Sequence, residues 1–258
     1  MNPSYSVVIP VYNSAASIEQ VIRRTAVFFN ERNLDYELIL VNDGSRDKTW
    51  DILSRSATEN PRILAIDLAH NYGQQIAIFC GLEKSRGEYV LTLDDDLQNP
   101  PEEMVHLIEK AGEGYDLVFG RFREKKHSLL RRLGSLIIRN VNKGMYGKPQ
   151  ELALSNFRIF RKSLVEQIIS HPVKRPYIQG LALKFSKKTA DAWVEHHARE
   201  EGKSRYTVYQ IARTLRALIW TYVSFWFPGR EKKSPYTIKQ STESFHDAAC
   251  AGTIQHSV

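Results

Sequence analysis

The stretch Leu91-Thr92-Leu93-Asp94-Asp95-Asp96-Leu97-Gln98-Asn99-Pro100-Pro101 sets three adjacent carboxylates directly behind a β-rich apolar run and just ahead of a Pro-Pro break. Three neighbouring acids repel one another, so a half-buried cluster of them needs a compensating cation. A hard divalent ion with oxygen ligands is the natural candidate, and such ions usually sit against substrate phosphates. The plainer alternative is an acidic turn solvated at the end of a strand. The strand before the acids and the prolines after them place the triplet at the carboxyl edge of a sheet, where open α/β folds bind ligands. That placement favours a metal–phosphate site.

Three more polar turns end apolar runs in the same way: Pro10-Val11-Tyr12-Asn13, Asn42-Asp43-Gly44-Ser45 and Asn71-Tyr72-Gly73-Gln74. Each is weak alone, because turns favour Asn, Asp and Gly in any case. The elements that must position them follow from hydrophobic periodicity. Strands are predicted over 5–11, 36–41, 62–68, 88–93 and 116–120. Helices are predicted up to about residue 30, with Ser14 or Ser17 as cap, and over 48–58, capped by Asp47. Two more are predicted over 74–85 and 101–112. Strands alternating with helices of this length imply an α/β fold with a mostly parallel, doubly wound sheet flanked by helices. All four polar turns then gather along one edge.

After Gly120 the rhythm changes. A basic amphipathic helix is predicted over 129–141, a strand over 157–160 and a helix over 163–169. A strand over 192–197 and a basic, flexible loop over 202–206 follow. An aromatic helix over 208–227 forms a C-terminal helical extension. The organisation read from this is one domain over 1–228, with a nucleotide half to 120 and an acceptor half beyond, then a flexible tail over 229–258 that orders only on a partner. The 258 residues and a 42% hydrophobic content suit one such domain with a sizeable core.

A formal net charge of +7 is concentrated in 121–148 and 199–233, pointing to a phosphorylated substrate or an anionic membrane surface. No nucleic-acid-binding module is recognisable, so nucleic acid ranks last among the partners. Cys80 sits in an apolar run and Cys250 in the polar tail, a pattern of neither a disulfide framework nor a zinc site. No signal peptide is expected ahead of the first strand, and the longest apolar stretch, 215–227, is too short to span a bilayer.

The chain resembles the family-two inverting glycosyltransferases with a GT-A fold, most closely the branch that loads a sugar onto polyprenyl phosphate. The resemblance is carried by Val7-Val8-Ile9-Pro10-Val11-Tyr12-Asn13, Val41-Asn42-Asp43-Gly44-Ser45, Asn71-Tyr72-Gly73-Gln74 and Leu93-Asp94-Asp95-Asp96-Leu97-Gln98-Asn99-Pro100-Pro101-Glu102. It extends more thinly to His197-Ala198-Arg199 and Gly202-Lys203-Ser204-Arg205-Tyr206. It implies transfer from a nucleoside diphosphate sugar donor to a polyprenyl phosphate acceptor, assisted by Mg²⁺ or Mn²⁺, by a cytoplasmic protein peripheral at the inner membrane face. A homo-oligomer is also possible.

The resemblance further implies roles for residues. Pro10, Tyr12, Asn13 and Gly73 would line the nucleotide, and Asp43 would hydrogen-bond its base or ribose. Asp96 with Gln98, and Asp94 beside them, would hold the ion on the diphosphate. Asp95 fills the variable middle position, meets the nucleotide through its backbone and is the most dispensable of the three. Arg121, Arg131, Arg132 and Ser135 would hold the acceptor phosphate, and Asp96, Arg121 and Arg131 carry the catalytic weight. Arg199, Lys203 and Arg205 would close over the diphosphate. A phosphate acceptor is already ionised near neutral pH, so it needs positioning by arginine more than a strong base.

Some features depart from the family or stay open. Many relatives carry an acid after Tyr-Asn, where this chain has Ser14. Relatives also place an Asp ahead of a Phe-Arg turn; Leu152-Ala153-Leu154-Ser155-Asn156-Phe157-Arg158 has none, and Glu151 is out of register. Two transmembrane helices common in bacterial relatives are missing. Arg123, Lys125 and Lys126 fit a solvated basic face. His196 and His197 are adjacent in a predicted strand and point to opposite faces, which does not suit a shared ion. Trp220, Tyr222, Phe225, Trp226 and Phe227 suit a packed core, a dimer contact or an interfacial membrane helix. A saccharide hydroxyl acceptor would require a general base, and none stands out. A nucleotidyltransferase would need a Gly-rich triphosphate loop after the first strand, where Pro10-Val11-Tyr12-Asn13 stands instead. A non-catalytic nucleotide-binding module is the remaining alternative.

Overall fold

The computed structural model describes residues 2–122, 144, 152–173, 175–196, 208–226 and 234–242. The predicted basic helix 129–141 and loop 202–206 lie outside them. Eight strands form one sheet: β1 Tyr5–Val11, β2 Tyr36–Asn42, β3 Ile63–Leu68, β4 Tyr89–Thr92, β5 Leu117–Phe122, β6 Arg158–Arg161, β7 Thr189–Val194 and β8 Ile238–Ser241. Their order is β7-β5-β6-β4-β1-β2-β3-β8. The β1–β2, β1–β4, β2–β3 and β5–β7 pairs are parallel, whereas β6 runs antiparallel between β4 and β5 and β8 runs antiparallel to β3.

Helices cover both faces. On one side α1 Ile18–Glu31, α2 Thr49–Glu59 and α4 Met104–Gly112 pack on Val7, Ile9, Leu38, Leu40, Leu91 and Ile159. On the other, α3 Gln74–Lys84, α5 Lys162–Ser170 and α6 Ile178–Phe185 pack on Val8, Ile39, Val41, Ile66, Val90 and Phe160. Strand residues of alternate parity therefore serve opposite layers, which is why β2 reads as an unbroken buried run rather than an alternating one. A seventh helix, α7 Val208–Ser224, lies against α6 through Leu218 and Tyr177.

The doubly wound reading of the first half stands, with boundaries moved by one to three residues. The 101–112 helix opens with a short 3-10 turn, Pro101–Glu103, because Pro101 sits at its first position. Ser17 occupies the cap position of α1 without capping it; its hydroxyl donates to the Asp95 carbonyl at 2.7 Å. Lys48, not Asp47, takes the cap position of α2; Asp47, one residue earlier, accepts from the Thr49 amide at 3.1 Å. α6 was missed, since eight largely apolar residues carry little periodicity.

The expected tail needs correction over 234–242. Ile238–Ser241 forms β8, and Thr242 exchanges hydrogen bonds with Ala65. An edge strand such as β3 offers unpaired backbone groups to any extended segment. Such pairing demands little of side chains, so periodicity does not announce it. Lys239 and Gln240 also reach Asp67, a buried carboxylate on β3 that accepts from Asn42 at 2.6 Å.

Candidate active site

Parallel strands end on one side, so the turns after β1, β2, β3 and β4 meet. The first two are cross-tied. Asn13 adopts φ 51, its amide donates to the Ser45 hydroxyl at 2.9 Å, and its side-chain oxygen accepts from the Arg46 amide at 2.8 Å. Asn is among the few non-glycine residues that tolerate that backbone region. Gly44 has φ +67, and a Cβ there would come within 2.7 Å of the His70 and Asn71 backbone. Only glycine lets the turns after β2 and β3 approach so closely.

Asp43 is buried, and its two carboxylate oxygens accept from the Tyr72 and Gly73 amides, each at 2.7 Å. Gly73, at φ 94, turns the chain into α3. Asp43 thus staples the β2 turn to the α3 start, a role absent from the sequence reading. Pro10 is buried within β1, while Tyr12 and Asn13 lie exposed at the edge.

The acidic triplet is half-buried, and its three acids differ. Asp94 accepts from the Gln74 amide group at 2.7 Å and from that of Asn99 at 3.1 Å. Burial, reinforced by the Asp96 and Asp95 charges, pushes its carboxyl up to about 7, against the opposing pull of Arg158 and the Gln74 hydrogen bond. Asp95 accepts from the Tyr12 amide at 3.0 Å and from the Ser14 hydroxyl. Burial raises its carboxyl too, opposed mainly by those two hydrogen bonds. Asp96 accepts from the Gln98 amide at 3.2 Å, across a turn in which Leu97 is held at φ 56. A branched residue in that region is strained, and such strain concentrates at functional sites.

The Asp95 side chain ties the β4 turn to the β1 turn, a structural role that the resemblance did not suggest. Ser14, standing where relatives carry an acid, supplies one of those ties. Gln74, Asn99 and Ser17 also belong to the site. The first two lie within recognised motifs, but polar turn residues carry no mark of their partner.

At the far side of the same edge, Arg121 lies within β5 rather than after it. Its Nε and Nη2 donate to Asp191 of β7 at 2.9 and 2.6 Å, and its guanidinium lies 5.0 Å from the Trp193 ring centroid. The same Asp191 oxygen accepts from the Ala153 amide at 2.8 Å. An acid from β7 thus serves the segment in which sequence comparison found one missing. His196 lies past the end of β7, 3.3 Å from Asn99 and 4.6 Å from the Phe122 ring centroid. Arg131, Arg132, Ser135, Arg199, Lys203, Arg205 and His197 fall outside the described residues.

Among the described residues no three His, Cys, Asp or Glu side chains converge as a closed metal cage. The donor set of Asp94, Asp96 and Gln98 is all oxygen, and burial raises the carboxyls of Asp94 and its neighbour Asp95. That suits Mg²⁺ or Mn²⁺, which takes few protein ligands and completes its shell with phosphate and water. Without the ion, the folded chain keeps the Asp94 proton up to about pH 7, whereas an ordinary aspartate loses it near 3.8. Folded protein therefore binds the extra proton between these values, and stability should fall across that window as pH rises, by on the order of 2–4 kcal/mol. Urea unfolding in a chelating buffer measures this. Asp94→Asn should flatten the slope, and a flat wild-type profile would contradict the burial of Asp94.

The sheet has the architecture of the GT-A glycosyltransferases. A crystal structure of glucosyl-3-phosphoglycerate synthase from Mycobacterium tuberculosis, in complex with Mn²⁺, UDP and phosphoglyceric acid, matches with a TM-score of 0.64 at 20% identity, covering 92% of this chain and 86% of that one. At that identity the likeness is one of fold. The family model for glycosyl transferase family 2 matches residues 6–169, and the chain belongs to that family. It is 37% identical over 215 residues to undecaprenyl-phosphate 4-deoxy-4-formamido-L-arabinose transferase of Pseudomonas aeruginosa (strain LESB58), covering 83% of this chain and 63% of that protein. It is 39% identical over 202 residues to the protein of that name from Shewanella sediminis (strain HAW-EB3), covering 78% and 61%. The chain thus spans less than two thirds of the length of these curated relatives.

Proposed function

We propose that the chain transfers a sugar from a nucleoside diphosphate sugar to a polyprenyl phosphate of the undecaprenyl type, with inversion at the anomeric carbon, in cell-surface glycan or lipopolysaccharide synthesis. The observation that carries this reading is the acidic turn, held by Ser14, Tyr12, Gln74 and Asn99 at the same sheet edge as Arg121. The names of the 36–39% identical relatives support the acceptor class.

In the reaction, an acceptor phosphate oxygen bonds to the anomeric carbon as its bond to the diphosphate oxygen breaks. A divalent ion, which Asp96, Asp94 and Gln98 would hold, would supply the positive charge that the leaving diphosphate needs. Asp96, Asp94 and Gln98 hold that diphosphate end, and the Asp43-stapled turn shapes the wall beside the nucleoside. Asp191 fixes one edge of the Arg121 guanidinium so that Arg121 meets the acceptor phosphate in a set orientation. Arg131, Arg132 and Ser135 complete the acceptor site, and Arg199, Lys203 and Arg205 close the donor site. The ionised acceptor needs no proton removed.

Incubation with a panel of nucleoside diphosphate sugars and a short-chain polyprenyl phosphate tests the reading by detecting the glycosyl phosphate lipid. Transfer to a saccharide hydroxyl alone would refute the acceptor. Asp191→Asn should raise the acceptor KM about fivefold or more while leaving the donor KM within about twofold, since it loosens a charge-assisted pair. Equal changes in both would show that Asp191 does not act through the acceptor.

No described helix is long and apolar enough to cross a membrane. On α7, Leu218 and Thr221 are buried, whereas Ile219 and Trp220 are 51% and 61% exposed, and Trp226, just past the helix, is 70% exposed. This tryptophan-bearing face is our choice for contact with an anionic lipid surface, at the inner membrane face where the acceptor is held. Replacing both Trp220 and Trp226 by Ser should weaken co-sedimentation with anionic vesicles about tenfold. Unchanged sedimentation would assign the face to a second copy of the chain instead.

A further inference from the structure

β8 joins the edge of the sheet with its register broken. Ile238 pairs with Leu68 and Gln240 with Asp67, so Lys239 is an extra residue between them. Such a bulge sets two neighbouring side chains, which a regular strand sends to opposite faces, against one residue of the partner strand. Here both reach the same oxygen of Asp67: the Gln240 side chain donates at 3.1 Å and the Lys239 ammonium lies at 3.3 Å. Asp67 is buried, and a buried carboxylate is costly unless it is paired and hydrogen-bonded. Among the described residues its other polar partner is the Asn42 side chain, at 2.6 Å. β8 therefore supplies two of the three groups that hold this acid, its cation included. A strand that only covered the backbone groups of β3 would need neither.

Asn42, Asp67 and Gln240 stand side by side across β2, β3 and β8. This polar row lies directly behind the turn after β2. Asn42 is buried, ends β2 and accepts from the Ser45 amide at 3.4 Å through its side-chain oxygen. Ser45 in turn accepts from the Asn13 amide of the β1 turn, and Asp43, next to Asn42, holds the Tyr72 and Gly73 amides. The same segment also grips α3. The Tyr236 hydroxyl donates to Glu83 of α3 at 2.5 Å, and Tyr236 and Ile238 pack on the layer that contains α3. Thr237 accepts from the Ala69 amide, just past β3, at 2.9 Å. Residues 236–242 thus bridge β3 and α3, the two elements whose junction carries Tyr72 and Gly73.

Resting on the reading of this sheet edge as a nucleoside diphosphate site, we propose that β8 is a strap that sets the donor site, with Asp67, Lys239 and Gln240 as positioning residues for the nucleotide. Lys239 and Gln240 fix Asp67, Asp67 fixes the Asn42 side chain, and Asn42 holds the turn that carries Asp43. The three act through Asn42 and not on the reacting atoms. Arg121 and Asp191 lie on β5 and β7, at the other end of the strand order, outside this chain of contacts. The strap therefore serves the donor and leaves the acceptor side alone.

The test is the full chain with Lys239→Met and Gln240→Leu together, which removes both side-chain contacts and leaves the backbone pairing. Without nucleotide, hydrogen exchange of the Ser45, Tyr72 and Gly73 amides should quicken about fivefold or more. The Gly87 amide, which donates to Ser6 at the opposite edge of the sheet, should keep its rate. With Mn²⁺, the Kd for the tightest binder among UDP, GDP, ADP and CDP should rise about fivefold or more, while that for a short-chain polyprenyl phosphate stays within about twofold. Lys239→Arg, which keeps the cation, should lie close to wild type throughout. Unchanged exchange at the three amides would overturn the strap. So would equal quickening at Gly87, which marks a general loss of stability, or equal weakening of nucleotide and polyprenyl phosphate. Should the double variant fail to fold, Lys239→Met alone changes an exposed side chain and carries the same test. A wild type that binds none of the nucleotides would instead sink the donor-site reading, while exchange at the three amides would still decide the strap.

Discussion

Asp96→Ala should abolish metal-dependent binding of nucleoside diphosphates and lower turnover by about a thousandfold or more, on the order of 4 kcal/mol of transition-state stabilisation. Of the three acids, Asp94 has an oxygen engaged with each of Gln74 and Asn99, and Asp95 binds Tyr12 and Ser14. Asp96 accepts from the Gln98 amide of its own turn, around the left-handed Leu97. As a half-buried turn carboxylate outside the core, its loss should cost binding more than folding. Calorimetric titration with nucleoside diphosphates and Mn²⁺, paired with urea unfolding, separates the two. Unchanged affinity in a folded variant would refute the assignment of Asp96.

Asp43→Ala should act the other way, through structure first. Two backbone amides, of Tyr72 and Gly73, lose a charged acceptor in a buried setting. Hydrogen bonds to a charged group contribute about 1.5–3 kcal/mol each, so a loss of roughly 3–5 kcal/mol is expected. The staple between the β2 turn and α3 goes with it, and donor affinity should fall in parallel. Asp43→Asn should rescue little, because its NH₂ would face one of the two donors. Urea unfolding is the measurement. A stable Asp43→Ala that merely binds nucleotide poorly would show that the carboxylate serves the ligand and not the fold.

The first half of the fold was legible because β1 to β4 are buried on both faces and end in polar turns, a pattern written locally at each strand. The second half was less so. β6 inserts antiparallel between β4 and β5, and nothing in Arg158-Ile159-Phe160-Arg161 states its direction. β8 covers an edge through backbone bonds, with Ile238 its single apolar residue. The site divides in the same way. Asp43, Asp94 and Asp96 stood out because each closes a strand within a recognisable string. Asp191 did not, since its partner Arg121 lies 70 positions away and is set by sheet order. The structural tie of Asp95 is not legible because a variable middle position says nothing of the Ser14 hydroxyl that this chain supplies in place of an acid.

The central claim is that this sheet edge binds a nucleoside diphosphate sugar through a divalent ion. Thermal melting with a panel of nucleoside diphosphates, each with and without Mn²⁺, tests it most directly. One nucleotide should raise the melting temperature with Mn²⁺ present, by the equivalent of about 2.7 kcal/mol at a hundredfold excess over Kd, and much less without the ion. A melting temperature indifferent to every nucleotide, with Mn²⁺ present, would contradict the account.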